Sequence, residues 1–149
     1  MSESVVRFLR KPWAARRPAM AASLLLAVGI SQVALADVCV IVSAKSGKAA
    51  ITSDEVSQIY LGRSTSLKPI DNNEDSPIRA QFYSKVVGRD EAQAKAIWSR
   101  LVFTGKATAP KKLASSADVV KAVASDSSAI GYVDTSAVNS SVKVVMELK

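Results

Sequence analysis

The stretch Asp37–Ser43, "DVCVIVS", does most to limit what this chain can become. It is almost entirely β-branched and apolar, with no alternation between polar and apolar residues. A strand with one wet face alternates; a strand that does not fits burial on both faces, as in a parallel sheet. The segments that follow alternate in period. "ITSDEVSQIYLG" reads as a helix with complete start and stop signals. Thr52 and Glu55 form a capping box, Ile51 can staple onto Val56, and Val56, Ile59 and Tyr60 share one face. Gly62 supplies the stop. "LKPID", residues 67–71, is a short second strand that Pro69 confines to an edge or to its end. A second helix starts with Ser76 as N-cap and Pro77 as first helical residue, spaces Ile78, Phe82 and Val86 four apart, and ends at Gly88. A third opens on an Asp90–Gln93 capping box and carries Ala94, Ile97, Trp98, Leu101 and Val102 as a wide apolar face up to Thr104–Gly105.

"KATAPKK" reads as an exposed loop. A fourth helix runs from Ser115 to about Asp126, with Val119, Val120 and Val123 facing inward. "AIGYVD", residues 129–134, is a strand. "VKVVMEL", residues 142–148, is another, with Val142, Val144, Met146 and Leu148 on one face. Strands alternating with helices predict an α/β fold. No internal repeat or low-complexity segment interrupts the order.

The first 36 residues are expected to stand apart from this domain. Arg7, Arg10, Lys11, Arg16 and Arg17 precede an apolar run, Met20–Ile30, and then "ALAD" with small residues at Ala34 and Ala36. That is the three-part pattern of a secretory signal peptide cleaved after Ala36. The apolar run is short of the roughly 20 residues of a full span. Pro18 and Ala19 after the arginine pair favour the general export route over a twin-arginine one. The segment holds five basic residues and one acidic residue, so losing it lowers the net charge from +7 by four, to +3. Most of the basicity is therefore targeting. The domain at 37–149 has no long Lys/Arg run and no basic stripe broken by aromatics, which excludes nucleic acid as an expected partner.

The residues also limit chemistry. With no histidine, the commonest general base and imidazole metal sites are both missing. The single cysteine, Cys39, lies inside the apolar run and reads as a small buried hydrophobe. It has no partner in the chain for an internal disulfide. Asp54–Glu55, Glu74–Asp75 and Asp90–Glu91 each stand at a helix start, where carboxylates complement the dipole. No Walker-type or dinucleotide glycine motif is present, and "SAKSGKAA" is a weak substitute. Neither an enzyme nor a cofactor is expected. The stretch "NNEDSPIR", residues 72–79, supports two readings. Ser76 Oγ, the N–H groups of Ile78 and Arg79 and the Arg79 guanidinium could converge on an oxyanion, with Asn73 beside them. Equally, Glu74 or Asp75 could occupy those N–H groups or pair with Arg79, leaving only a helix cap.

"ITSDEVSQIYLGRSTSL", "SPIRAQFYSKVVG", "IWSRLVFTGK" and "SSAIGYVD" occur in this order. Together they resemble the phosphate-binding proteins of bacterial ABC importers, in the type II periplasmic binding protein superfamily. The turn "IYLGR" after a helix and the late "AIGYV" carry the resemblance, which runs from Val38 to Asp134. It implies one lobe of a periplasmic-binding-protein-like fold, roughly the second, with a mixed sheet flanked by about four helices. It further implies a periplasmic protein that binds phosphate or a similar oxyanion, with an ABC transporter permease or another envelope protein as partner and a homodimer as one way to rebuild a two-lobed cleft. The family's second lobe uses a Ser-Gly-Thr step at a helix start with an arginine just before it. Ser76 matches the serine, Pro77 and Ile78 replace the glycine and threonine, and Asn72 stands where the arginine would be. Two functions follow as expectations: a small-anion binding protein linked to ABC-type phosphate uptake, or an interaction module derived from such a lobe that docks on another envelope protein.

Overall fold

The computed structural model describes residues 37–149. The signal peptide and its cleavage site, expected at 1–36, lie outside them. Five strands form one sheet: β1 (Val38–Ser43), β2 (Lys68–Asn72), β3 (Lys111–Leu113), β4 (Ala129–Asp134) and β5 (Val142–Glu147). Four helices accompany them: α1 (Ser53–Tyr60), α2 (Pro77–Phe82, continuing as a π-helical turn through Val87), α3 (Glu91–Phe103) and α4 (Ser116–Ser125). The sheet order is β3-β2-β4-β1-β5. The fold is α/β with a mixed sheet.

β1 is buried along its whole length, as its composition requires. Its neighbours differ from expectation. It runs antiparallel to both β4 and β5, and only β2, β3 and β4 are mutually parallel. The residue pattern reports burial on two faces, and burial does not depend on strand direction. β2 is interior, and Pro69 stands near its start, the second of the two placements expected. Pro69 is tolerated because β3 joins only from Ile70 onward, so at Pro69 the strand has a partner on one side alone. The edge strand β3 begins inside the segment read as a loop and runs one residue past it, to Leu113. Three residues, two of them lysines, leave no periodicity to detect, and lysines also blunt an edge against further pairing.

The alternation expected of β5 fails for a specific reason. Val40 pairs with Met146 and Ile41 with Val144, so Val145 is an extra residue in a bulge. The bulge turns the rest of the strand over. Val142 and Val144 pack with Cys39 and Ile41 on one side of the sheet, while Val145, Met146 and Leu148 pack with Val40 on the other.

Two cores result. On face one, α1, α2 with its π turn, and Ala94 of α3 cover Val38, Val40, Val42, Ile130 and Tyr132. Tyr60, Phe82, Tyr83 and Tyr132 form an aromatic cluster there, with Phe82 and Tyr132 stacked at 3.8 Å between centroids. On face two, α4 covers Cys39, Ile41, Ala129, Val133 and Val142. Burial pushes the Cys39 thiol pKa up, consistent with a packing role. Gly131 lets α4 approach, because a Cβ there would meet Val119 Cγ1 at 2.7 Å.

The capping signals are met unevenly. Asp90 and Gln93 form a full reciprocal box, and Ser115 caps α4 through the Asp118 N–H. Thr52 accepts from the Glu55 N–H, but the Glu55 carboxylate pairs with Lys48 instead of closing the box. Ser76 is the N-cap of α2 without a side-chain bond. Glu74, expected as a cap residue, instead reaches across to Lys112 Nζ at 2.7 Å.

Candidate functional site

The parallel strands β2, β3 and β4 end together at Asn72, Leu113 and Asp134. From β2 the chain passes to α2 on face one; from β3 it passes to α4 on face two. Adjacent parallel strands whose following helices leave toward opposite faces open a crevice beyond their carboxyl ends, the position where open α/β sheets hold ligands. A cavity of about 260 Å³ lies there, lined by Asn72, Asp75, Ser76, Ile78, Ser116 and Asp134 among others.

Its polar groups fall into free and committed sets. Ser76 Oγ carries no cap bond. Ser116 Oγ accepts from the Asp134 N–H at 3.2 Å, which leaves its own proton free to donate. The Ile78 N–H, in the first turn of α2, has no intrahelical acceptor. Ser115, by contrast, is engaged twice with Asp118. Two carboxylates also border the crevice. The Asp134 pKa is held below the usual carboxylate range by hydrogen bonds from Ser136, so this group is ionised at neutral pH.

The structure divides the four residues singled out from the sequence. Ser76 and Ile78 line the crevice. Asn73 is half-buried, and its N–H is spent on the Leu113 carbonyl at 3.0 Å. Arg79 is elsewhere. It is only 5 % exposed, and its guanidinium pairs with Asp71 and Glu91 rather than with Glu74 or Asp75. Burial works against the charge, but the adjacent Asp71 carboxylate outweighs it and raises the Arg79 pKa further.

Asp71 was not singled out by its sequence context, yet it organises the region behind the crevice. Its Oδ2 accepts from Arg79 Nη2 at 3.3 Å and from the Tyr83 hydroxyl at 3.0 Å; its Oδ1 accepts from the Tyr132 hydroxyl and from the Asn72 N–H. Asn72 Nδ2 donates to the Tyr132 carbonyl at 2.9 Å. These bonds tie the end of β2 to β4 and α2. Burial and the nearby Asp71 carboxylate push the Tyr83 and Tyr132 pKa values well up, so both phenols act as neutral donors. A signal was present in the sequence: an acid placed beside apolar strand residues needs partners of this kind. The partners lie 8, 12 and 61 residues away, which no local pattern shows.

No family model matches the chain, and no curated protein matches it. Solved structures do. They include an ABC-type phosphate transport receptor from Vibrio cholerae (17% identity, TM-score 0.58, covering 73% of this chain and 45% of that one). A Clostridium perfringens protein with bound phosphate gives 18% identity and TM-score 0.60, covering 73% of this chain and 44% of that one. PstS from Borrelia burgdorferi gives 12% identity and TM-score 0.56, with 73% and 46% covered. The chain spans less than half the length of each. At these identities the likeness is one of fold: the domain shares its α/β architecture with part of each of these proteins.

Proposed function

We propose that this chain is an exported, periplasmic small-anion binding protein, with phosphate or a similar oxyanion as ligand and an association with ABC-type phosphate uptake. The observation that carries the reading is the crevice at the carboxyl ends of β2, β3 and β4, where Ser76 Oγ, the Ile78 N–H and Ser116 Oγ are free donors. The fold shared with phosphate-transport proteins supports the ligand class. Among the described residues no helix is long and apolar enough to cross a membrane. The carboxylates of Asp75 and Asp134 favour an oxyanion that still carries a proton, because a carboxylate can accept that hydrogen bond. Hydrogen phosphate offers it and sulfate does not.

The test is a calorimetric titration of phosphate into the purified chain at low salt. Saturable heat with phosphate, little with sulfate, and a roughly tenfold loss in Ser76→Ala, equivalent to about 1.4 kcal/mol, is the expected result. Because the Ser76 hydroxyl caps nothing, that variant keeps its fold. A second reading, the interaction module, rests on a different observation: no Lys or Arg lines the crevice, while two carboxylates do. Absence of heat up to millimolar phosphate would select it.

A further inference from the structure

Face one is not closed. Only Ala94 of the thirteen residues of α3 is buried. Between α3 and the segment Ala109–Lys112 lies a groove of about 450 Å³, larger than the crevice and separate from it. That volume is in the range of small-molecule sites, and its walls are mainly apolar. The two large hydrophobic residues exposed among the described residues, Val102 at 47% and Phe103 at 93%, both stand on its lip. Trp98 and Pro110 form its sides.

The wall is fixed in place. The Trp98 indole N–H donates to the Tyr60 carbonyl at 2.8 Å, and Leu101 fits against Gly62 so closely that a Cβ there would sit 2.5 Å from it. These two contacts pin α3 to the end of α1 and its Gly62 turn. The sign of the groove lies at its rim, because at the buried end the lining Asp71 carboxylate and Glu91 both pair with Arg79 and offset its charge. Its rim carries Lys95 and Lys112, with side chains 71% and 42% exposed, and a single carboxylate, Glu74, lies between them at 3.9 and 2.7 Å. Two ammonium groups share one counter-charge, so the rim keeps a net positive charge. At the buried end stands Arg79, whose Nε is a buried side-chain donor without a partner. A satisfied core would not leave it so.

We propose that this groove is a second binding site, for a small organic anion with an apolar body: the body packs between Trp98 and Pro110 under Phe103, and the carboxylate or sulfonate head is held by Lys95 and Lys112. The proposal stands independently of the crevice and of its anion.

The test uses the full chain carrying Trp13→Phe, in which Trp98 is the sole tryptophan and reports the groove alone. The probes are 1-anilinonaphthalene-8-sulfonate and its uncharged analogue N-phenyl-1-naphthylamine, read by energy transfer from Trp98. The sulfonate is expected to bind saturably and at least about tenfold more tightly than the neutral analogue. Replacing Lys95→Gln and Lys112→Gln together is expected to remove most of that difference while leaving the neutral probe unchanged. Both lysines are exposed, so the fold is not at stake. Equal binding of the two probes overturns the proposal, as does an unchanged preference in the lysine variant. Displacement of the dye by millimolar phosphate overturns it too, since the site would then read charge alone. A Trp98 shift produced by phosphatidylglycerol vesicles but not by the soluble sulfonate would reassign the surface to a membrane. Dye binding that appears only in a dimer on sedimentation would reassign it to a second copy.

Discussion

The two faces of the sheet are covered in opposite ways. Face two is sealed by one helix, α4, whose Val119, Val120 and Val123 pack on apolar strand residues and reach the backbone at Gly131. Face one is covered by three helices and still stays open. Its centre holds Asp71, Asn72 and Arg79, all buried and hydrogen-bonded to tyrosines and to each other. An apolar face can close by simple contact. A polar centre must satisfy each donor and acceptor in a set direction, and those directions fix where the helices sit. The groove lies on the side where geometry, rather than contact, places the covering helix.

The sharpest way to break this comparison is to remove the polar centre. Asp71→Ala leaves Arg79 and two tyrosine hydroxyls short of an acceptor and is expected to cost about 3–5 kcal/mol in urea unfolding. A cost under about 1 kcal/mol would mean that face one is held by its aromatics alone. The matching test on face two is Gly131→Ala. The added Cβ would meet Val119 Cγ1 at 2.7 Å and Val123 Cγ2 at 3.0 Å, so a loss of about 1–3 kcal/mol is expected. Gly47→Ala, with nothing within 4 Å, is the control and should be nearly neutral. Phe103→Ser probes the open side: stability should stay within about 0.5 kcal/mol, since a residue 93% exposed has little packing to lose. A clear drop in the unfolding midpoint would show that the lip is covered in solution.

The smallest expected effect is on pH dependence. Asp126, after α4, accepts from the Ser128 N–H and hydroxyl, and these bonds lower its pKa from 3.8 to about 2. A depressed carboxylate contributes stability above its unfolded value and loses it as pH falls through the folded one. Its contribution is thus full above pH 3.8 and gone near pH 2. Asp126→Asn should flatten the acid limb of stability across that interval, with Asp71 and the groove unaffected.

Much of the fold was legible because it rests on short-range rules. The Asp90–Gln93 box, the Ser115 cap and the left-handed glycines at 62, 88 and 105 act within four residues of themselves. The burial of β1 on both faces followed from its composition. The apolar stripe of α3 was legible as a stripe, but its burial was not, because a stripe says which side is apolar and not whether anything covers it. The candidate site was partly legible. Sequence reading points to Ser76 and Ile78, which line the crevice, because a helix start is a local feature. Arg79 was placed with them because it is three residues from Ser76, and the structure draws it away through Asp71 and Glu91.

Sequence alone determined the four helices, close to where each begins and ends, and every strand except β3. These depend on backbone hydrogen bonding and side-chain period, which neighbours in the chain decide. Tertiary structure alone decided strand direction, the bulge at Val145, the crevice between β2 and β3, and the groove beside α3. Each depends on groups far apart in sequence meeting at a fixed distance. Glu74 and Lys112, like Asp71 and Tyr132, become partners only once the sheet has brought β2 between β3 and β4.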